Sequence, residues 1–199
     1  MTDRLKDPEG ATPLNPEELA GLKLKHVAKR EQLDELEQAN IQNGLLWLGR
    51  RKNRGKIFNE EFVRELHRQL FGDVWWWAGD FRTTEKNIGV APYQISSELR
   101  KLLGDVSYWV EHKTFEPIVI AAQFHHRLVW VHPFTNGNGR HSRIMADVIL
   151  IELLDAEAID WSKGHDLQKM GDRRSEYIAA LKMADAKDYR PLFEFVGKK

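Results

Sequence analysis

His132-Pro133-Phe134-Thr135-Asn136-Gly137-Asn138-Gly139-Arg140-His141-Ser142-Arg143 interrupts two apolar segments, and the nature of that interruption decides the fold. Ahead of it, Ile118 to Val131 follows Pro117, a residue suited to the first turn of a helix. Behind it, Ile144 to Leu154 is apolar nearly all round, as a helix in the middle of a core is. Gly137-Asn138-Gly139 permits positive φ and lets backbone N–H groups converge on an anion. The helix that follows adds the positive end of its dipole. Arg140 and Arg143, three apart, project from one face of its first turn. Together these features describe a polyphosphate cradle with His132 at its lip.

The composition narrows the function classes. A hydrophobic share of 42% with seven tryptophans supplies a sizeable core within 199 residues, enough for one domain or one domain with an arm. Lys plus Arg equals Asp plus Glu at 30 each, which removes the usual electrostatic case for a nucleic-acid surface. Without cysteine there is neither a disulfide framework nor thiolate chemistry. The longest apolar runs are too short for a bilayer, and the charged, Pro-rich N-terminus is unlike a signal peptide. The expectation is a cytoplasmic protein with no membrane and no direct nucleic-acid partner.

Along the chain, residues 1–30 read as an arm, with Pro8, Pro13 and Pro16 breaking any early helix. Residues 31–55 read as a helix and a connecting basic loop, and residues 56–199 as the core domain. In the first helix Leu33, Leu36, Ile41, Leu45 and Leu48 share a face, and Glu37 falls on that same stripe. A carboxylate there either leans into water from the stripe's edge or reaches an arginine of the cradle. Asn59 caps a second helix, and Gly72 ends it. Val74 to Gly79, with three consecutive tryptophans, reads as packing between helices. Phe81 to Ile95 lacks helical periodicity and reads as a short hairpin or extended flap. Ser97 is placed as the cap of a helix carrying Leu99, Leu102, Leu103 and Val106. Tyr177, Ile178 and Leu181 share a later helix, and Pro191 opens the last. The fold class is all-α with one small β element.

Four histidines, His125, His126, His132 and His141, lie close enough in sequence to raise zinc, but none pairs at one-turn spacing around a glutamate. His67, His112 and His141 read as surface residues. His132, titrating near ~6.5 when unperturbed, needs no large tuning to act as a base.

His-Pro-Phe-x-x-Gly-Asn-Gly-Arg-x-x-Arg resembles the motif of the Fic (Fic/DOC) domain family. The likeness extends to Leu66-His67, to Trp77-Ala78-Gly79-Asp80-Phe81-Arg82 and to the Pro191-Leu192 end. Gly10 to Leu14 and Glu35 to Ile41 resemble the "mobile mystery protein B" subgroup, whose associate is a helix-turn-helix protein, mobile mystery protein A. The resemblance implies a Fic-type helical bundle with a small β-hairpin flap, and transfer of AMP from ATP to a Ser, Thr or Tyr hydroxyl of a protein target. It casts His132 as the catalytic base, and Gly137, Asn138, Gly139, Arg140 and Arg143 as the nucleotide seat. The flap of Thr84, Glu85, Lys86, Asn87, Ile88 and Gly89 would clamp the target. Asn136 stands where the family carries an acid that ligates Mg2+, so its amide would bring an oxygen without charge. Glu37 resembles an inhibitory glutamate, expected to pair with Arg143. The readings weighed against this are a catalytically weak nucleotide-binding partner of a helix-turn-helix regulator, another nucleotide or phosphate donor, and removal of AMP.

Overall fold

The computed structural model describes residues 13–25, 27, 29–52, 56–169 and 171–198. Gly10 to Thr12 of the subgroup resemblance and residues 53–55 of the basic loop lie outside them. The described residues form eight α-helices: α1 (Pro16–Ala20), α2 (Arg30–Arg50), α3 (Glu60–Phe71), α4 (Ile95–Glu111), α5 (Pro117–Val131), α6 (Asn138–Leu153), α7 (Asp172–Asp185) and α8 (Arg190–Val196).

The two apolar segments around the motif become α5 and α6, and they form the centre of the bundle. Ile120, Ala121, Ala122 and Phe124 of α5 and Met145, Ala146 and Ile149 of α6 are wholly buried. α4 and α8 cover α5, and α3 lies beside α6. α2 packs along α3. Gly44 permits that close approach, since a Cβ there would meet the Gln69 carbonyl at 2.8 Å. Asn40 pins the same seam, donating to the Gln69 carbonyl at 3.0 Å and accepting from the Asp73 amide at 2.8 Å.

Several local expectations change. Pro16 does not break an early helix. It occupies the start of α1, where a missing N–H costs nothing. Asn15 and Glu18 close a capping box around that start, each side chain accepting the other's amide at 2.8 Å. The described part of the arm is also docked: Trp76 donates to the Gly21 carbonyl at 2.9 Å and Lys23 to that of Val74 at 2.9 Å. Ser97 is not a cap. α4 starts at Ile95 after a 3-10 turn over Pro92–Gln94, and the Ser97 hydroxyl bonds back to the Gln94 carbonyl. Of the tryptophan run, Trp75 is core, whereas Trp76 is exposed beneath the Lys23 ammonium.

The flap takes the extended alternative, without a hairpin ladder. The reason lies in where its two arms bond. Arg82 donates its amide to Pro133 at 2.9 Å and Val90 to Val131 at 3.4 Å, so both arms attach to the motif loop instead of to each other. Among the described residues the only β pairings are isolated bridges, Phe81 with Phe134 and Leu22 with Trp75.

Candidate active site

The turn between α5 and α6 is built by three constraints. His132 ends α5 in the left-handed conformation, φ 52° and ψ 59°, a strain of about 1–2 kcal/mol for a residue with a Cβ. Asn138 clips the loop shut, accepting the Phe134 amide at 2.9 Å and donating to the Phe134 carbonyl at 2.8 Å. Phe134 itself is fully buried, stacked on the His67 ring at 3.7 Å between centroids. Gly137 must be glycine, because its φ is 77° and a Cβ there would stand only 2.7 Å from the Phe71 ring. α6 then begins at Asn138, and its first-turn amides have no carbonyl acceptor within the helix.

Arg82, which the sequence reading left without a role, fastens this turn to the flap. Its buried guanidinium donates to the carbonyls of His132 at 2.7 Å, Thr84 at 2.8 Å and Val90. Gly89, at φ 104°, lies so close that a Cβ would meet that of His132 at 2.6 Å. The N-terminal arm supports the flap from the other side. Glu18 accepts from the Thr84 hydroxyl at 2.7 Å and pairs with the Lys86 ammonium at 2.5 Å.

The His132 ring is oriented by its Nδ1, 3.2 Å from the Val129 carbonyl. A carbonyl only accepts, so Nδ1 carries the proton and the basic lone pair resides on Nε2. Burial lowers the imidazole to about 4, against the expectation of no large tuning, so the ring is neutral throughout the physiological range.

Two other histidines read as surface residues are core. His67 accepts the Gly79 amide on Nδ1 at 3.0 Å and therefore donates from Nε2 to the Asn136 carbonyl at 3.0 Å. His141 donates from Nε2 to the Val63 carbonyl at 3.0 Å, and burial lowers it to about 3. Their helical positions gave no signal, because an imidazole held neutral by burial and bonded to the backbone packs as a core residue does. His112 is exposed, as read.

Glu37 is buried at 3% exposure on α2 and does reach the cradle. One carboxylate oxygen accepts the Trp75 indole N–H at 2.6 Å, and the other meets Arg140 at 2.5 Å. The expected partner, Arg143, is not the one engaged. Arg143 instead lies over the Tyr177 ring, 5.5 Å from its centroid, with Tyr177 in turn bonded to His125 at 3.0 Å. Arg140 sits between Glu37 and the Phe71 ring, 4.8 Å from its centroid, which puts the first arginine within reach of α2.

A cavity of about 610 Å³ opens over this turn. Its walls include His132, Asn136, Gly137, Asn138, Gly139, Arg140 and Arg143, together with Asn87, Ile88 and Gly89 of the flap. The structure thus brings most of the sequence-derived site residues to one hollow. Thr84, Glu85, Lys86 and Glu37 lie off its wall. Arg30, Arg174 and Lys182, which sequence reading did not single out, bring its cationic side chains to five among the described residues, against the single carboxylate of Asp185. A chain of zero formal net charge therefore concentrates positive charge at one place.

A helical bundle whose central turn offers amide hydrogens, guanidinium groups and an oriented imidazole to one cavity has the chemistry of an anion site and the room for a nucleotide. Residues 57–150 match the Fic/DOC family, so this part of the chain is a Fic/DOC domain. It is 32% identical over 144 residues to the protein adenylyltransferase fic-1 of Caenorhabditis elegans, covering 68% of this chain and 26% of that one. The solved structure of C. elegans Fic-1 (aa134 - 508) superimposes with a TM-score of 0.66 at 27% identity, over 81% of this chain and 47% of that one. BepC from Bartonella tribocorum, solved with bound AMPPNP, shares the fold over 98% of this chain and 95% of its own, with a TM-score of 0.68 at 16% identity. The chain thus spans about a quarter of the length of the curated relative it matches.

Proposed function

We propose that the protein is a protein adenylyltransferase, moving AMP from ATP to a Ser, Thr or Tyr hydroxyl of a target protein. The observation that carries the reading is the tautomer of His132: Nδ1–H is held by the Val129 carbonyl, so the basic nitrogen is Nε2, beside an amide-lined, arginine-flanked cavity. In this reaction the target oxygen forms a bond to the α-phosphorus, its proton passes to His132 Nε2, and pyrophosphate departs. The base requires only a neutral ring, and burial supplies that. The amides at the start of α6 and the guanidinium groups of Arg140 and Arg143 neutralise the phosphates, which is the larger share of catalysis in such transfers. The flap, fastened to His132 through Arg82, presents its backbone to the target segment.

Glu37 restrains this machinery through Arg140. A guanidinium committed to a buried carboxylate has less charge to offer a phosphate, so residues 31–55 act as an inhibitory segment on the 56–199 core. ATP is the donor substrate. The residues present fit magnesium poorly. Among the described residues no group of three His, Cys, Asp or Glu could hold a metal, and the Asn136 amide oxygen already accepts the Gly137 N–H at 2.6 Å. Magnesium carried in on a nucleotide would find at Asn136 only a neutral oxygen donor.

Among the described residues no helix is long and apolar enough to cross a membrane. A cytoplasmic setting fits the cysteine-free chain, and the Glu35 to Ile41 resemblance supports the mobile mystery protein B subgroup with its helix-turn-helix companion. Co-purification with that companion tests the pairing. Incubation with ATP labelled at the α- or the γ-phosphate tests the chemistry. Label on protein from the α position alone is the expected result, and label from the γ position would replace AMP transfer with phosphoryl transfer.

A further inference from the structure

The flap is held at two levels. Arg82 fixes its stem through the Thr84 and Val90 carbonyls. Nearer the tip the anchor is the N-terminal arm, which precedes the residues that match the family. Thr84 and Lys86 turn their side chains to that arm, whereas Asn87, Ile88 and Gly89 line the cavity. The arm therefore grips the flap immediately beside the residues that face an incoming target.

One carboxylate makes the grip. Glu18 Oε1 accepts the Thr84 hydroxyl at 2.7 Å, and Oε2 accepts the Lys86 ammonium at 2.5 Å and the Asn15 amide at 2.8 Å. Lys86 also donates to the Pro13 carbonyl at 3.1 Å. The Lys86 and Glu18 side chains are only 5% and 10% exposed, so this is no solvated surface bridge. Burial pushes the Glu18 carboxyl up, but the bonds from Lys86, Asn15 and Thr84 outweigh it and hold the group below its ordinary value, ionised at neutral pH. Such a pair adds little net stability, because desolvation offsets its attraction, yet it fixes position closely. The carboxylate is itself referenced to the core. The Glu18 carbonyl accepts the Trp77 indole N–H at 3.0 Å, and Trp77 stacks on the buried Trp75 at 4.8 Å between centroids.

We propose that Glu18 is a positioning residue for target recognition: through Thr84 and Lys86 it sets where the cavity-facing flap residues meet an incoming protein segment. The proposal rests on the reading of the flap as the target clamp, and it makes the N-terminal arm part of the acceptor site. Neither Glu18 nor Lys86 lines the cavity, so nucleotide binding does not depend on the pair. A flap that is correctly placed for only a fraction of the time binds its target more weakly by that fraction, which puts the effect on acceptor affinity.

The test uses the full chain as enzyme, a tagged His132→Ala copy of it as protein acceptor, and α-labelled ATP. Glu18→Gln in the enzyme is expected to raise the KM for the acceptor about tenfold, the effect of one charge-assisted bond, with kcat and ATP affinity within about twofold. Lys86→Arg, which keeps the pair, is expected to hold KM within about threefold, and Lys86→Met to raise it as Glu18→Gln does. The double variant should be no worse than either single one, since both remove the same contact. Amide hydrogen exchange on the same samples should quicken about tenfold over residues 82–91 in Glu18→Gln and stay unchanged over residues 134–146. An unchanged KM, or unchanged exchange in the flap, overturns the proposal. A parallel loss of ATP affinity and of protection throughout the chain overturns it too, leaving Glu18 a support of the fold. Absence of adduct from the unaltered enzyme would instead overturn adenylyl transfer, a failure visible before any variant is made.

Discussion

Glu37→Gln is the most informative single change, because it keeps the side chain's volume and removes its charge. In the folded protein the carboxylate satisfies two buried donors, the Trp75 indole at 2.6 Å and the Arg140 guanidinium at 2.5 Å. Glutamine retains one oxygen for the indole and places an amide against Arg140. What is lost is a charge-assisted hydrogen bond, about 1.5–3 kcal/mol. The larger cost of about 3–5 kcal/mol for stranding a buried charge does not apply in full, since Arg140 also lines the cavity and keeps its contact with Phe71. A loss near 2 kcal/mol in a chain of this size lowers the melting midpoint by roughly 4–8 °C. The released guanidinium then gains a phosphate, a contact worth about 1.4 kcal/mol or tenfold in affinity for ATP. The assay is self-labelling with α-labelled ATP, read beside the thermal midpoint of the same sample. The expected pairing is higher labelling with lower stability. Lower labelling together with lower stability would refute the restraint and make Glu37 a support that positions Arg140.

Arg82→Lys replaces a guanidinium spanning three carbonyls with one ammonium, at a stability loss of about 2–4 kcal/mol measurable by denaturant titration. ATP binding should change little while transfer to a protein target falls, since the flap and not the cradle is released. Asn136→Asp should strengthen the dependence of nucleotide binding on magnesium, and an unaltered magnesium titration would remove position 136 from metal contact. Acid should destabilise the fold early. His67, His125 and His141 are buried and held neutral, each lowered by burial first. Their contribution is complete above the unfolded histidine value near ~6.5 and is lost as pH falls from there towards the folded values. The melting midpoint should therefore fall steadily below about pH 6.5.

The central turn was legible in the sequence because its residues are dictated by backbone geometry and phosphate chemistry, which few other sequences satisfy. Gly137 is forced by its φ and by Phe71, and Arg140 and Arg143 follow it in the first two turns of α6. Glu37 was legible as an anomaly on an apolar stripe, but spacing alone did not say which arginine it meets. That choice depends on how α2 settles on α3 through Gly44 and Asn40, a packing detail far from the motif. Pro16 misled because proline both terminates and initiates helices, and only the Asn15–Glu18 box distinguishes the two. His67 and His141 misled because polarity suggested water where backbone partners were waiting in the core. Arg82 and the cations of α7 were out of reach for a different reason. Arg82 acts on His132, a residue 50 positions away, and Arg174 and Lys182 line a cavity that exists only once α5, α6 and α7 are packed.

Every role assigned to this site depends on the His132 imidazole taking the proton of an incoming hydroxyl above a phosphate-binding turn. The most direct measurement pairs two readings on His132→Ala: intact-protein mass after incubation with ATP and a target, and the equilibrium affinity for ATP. The expected result is no AMP adduct and an ATP affinity within about threefold of the unaltered protein, because the side chain contributes a base and the amides and arginines contribute the seat. Undiminished adduct formation by His132→Ala would contradict it.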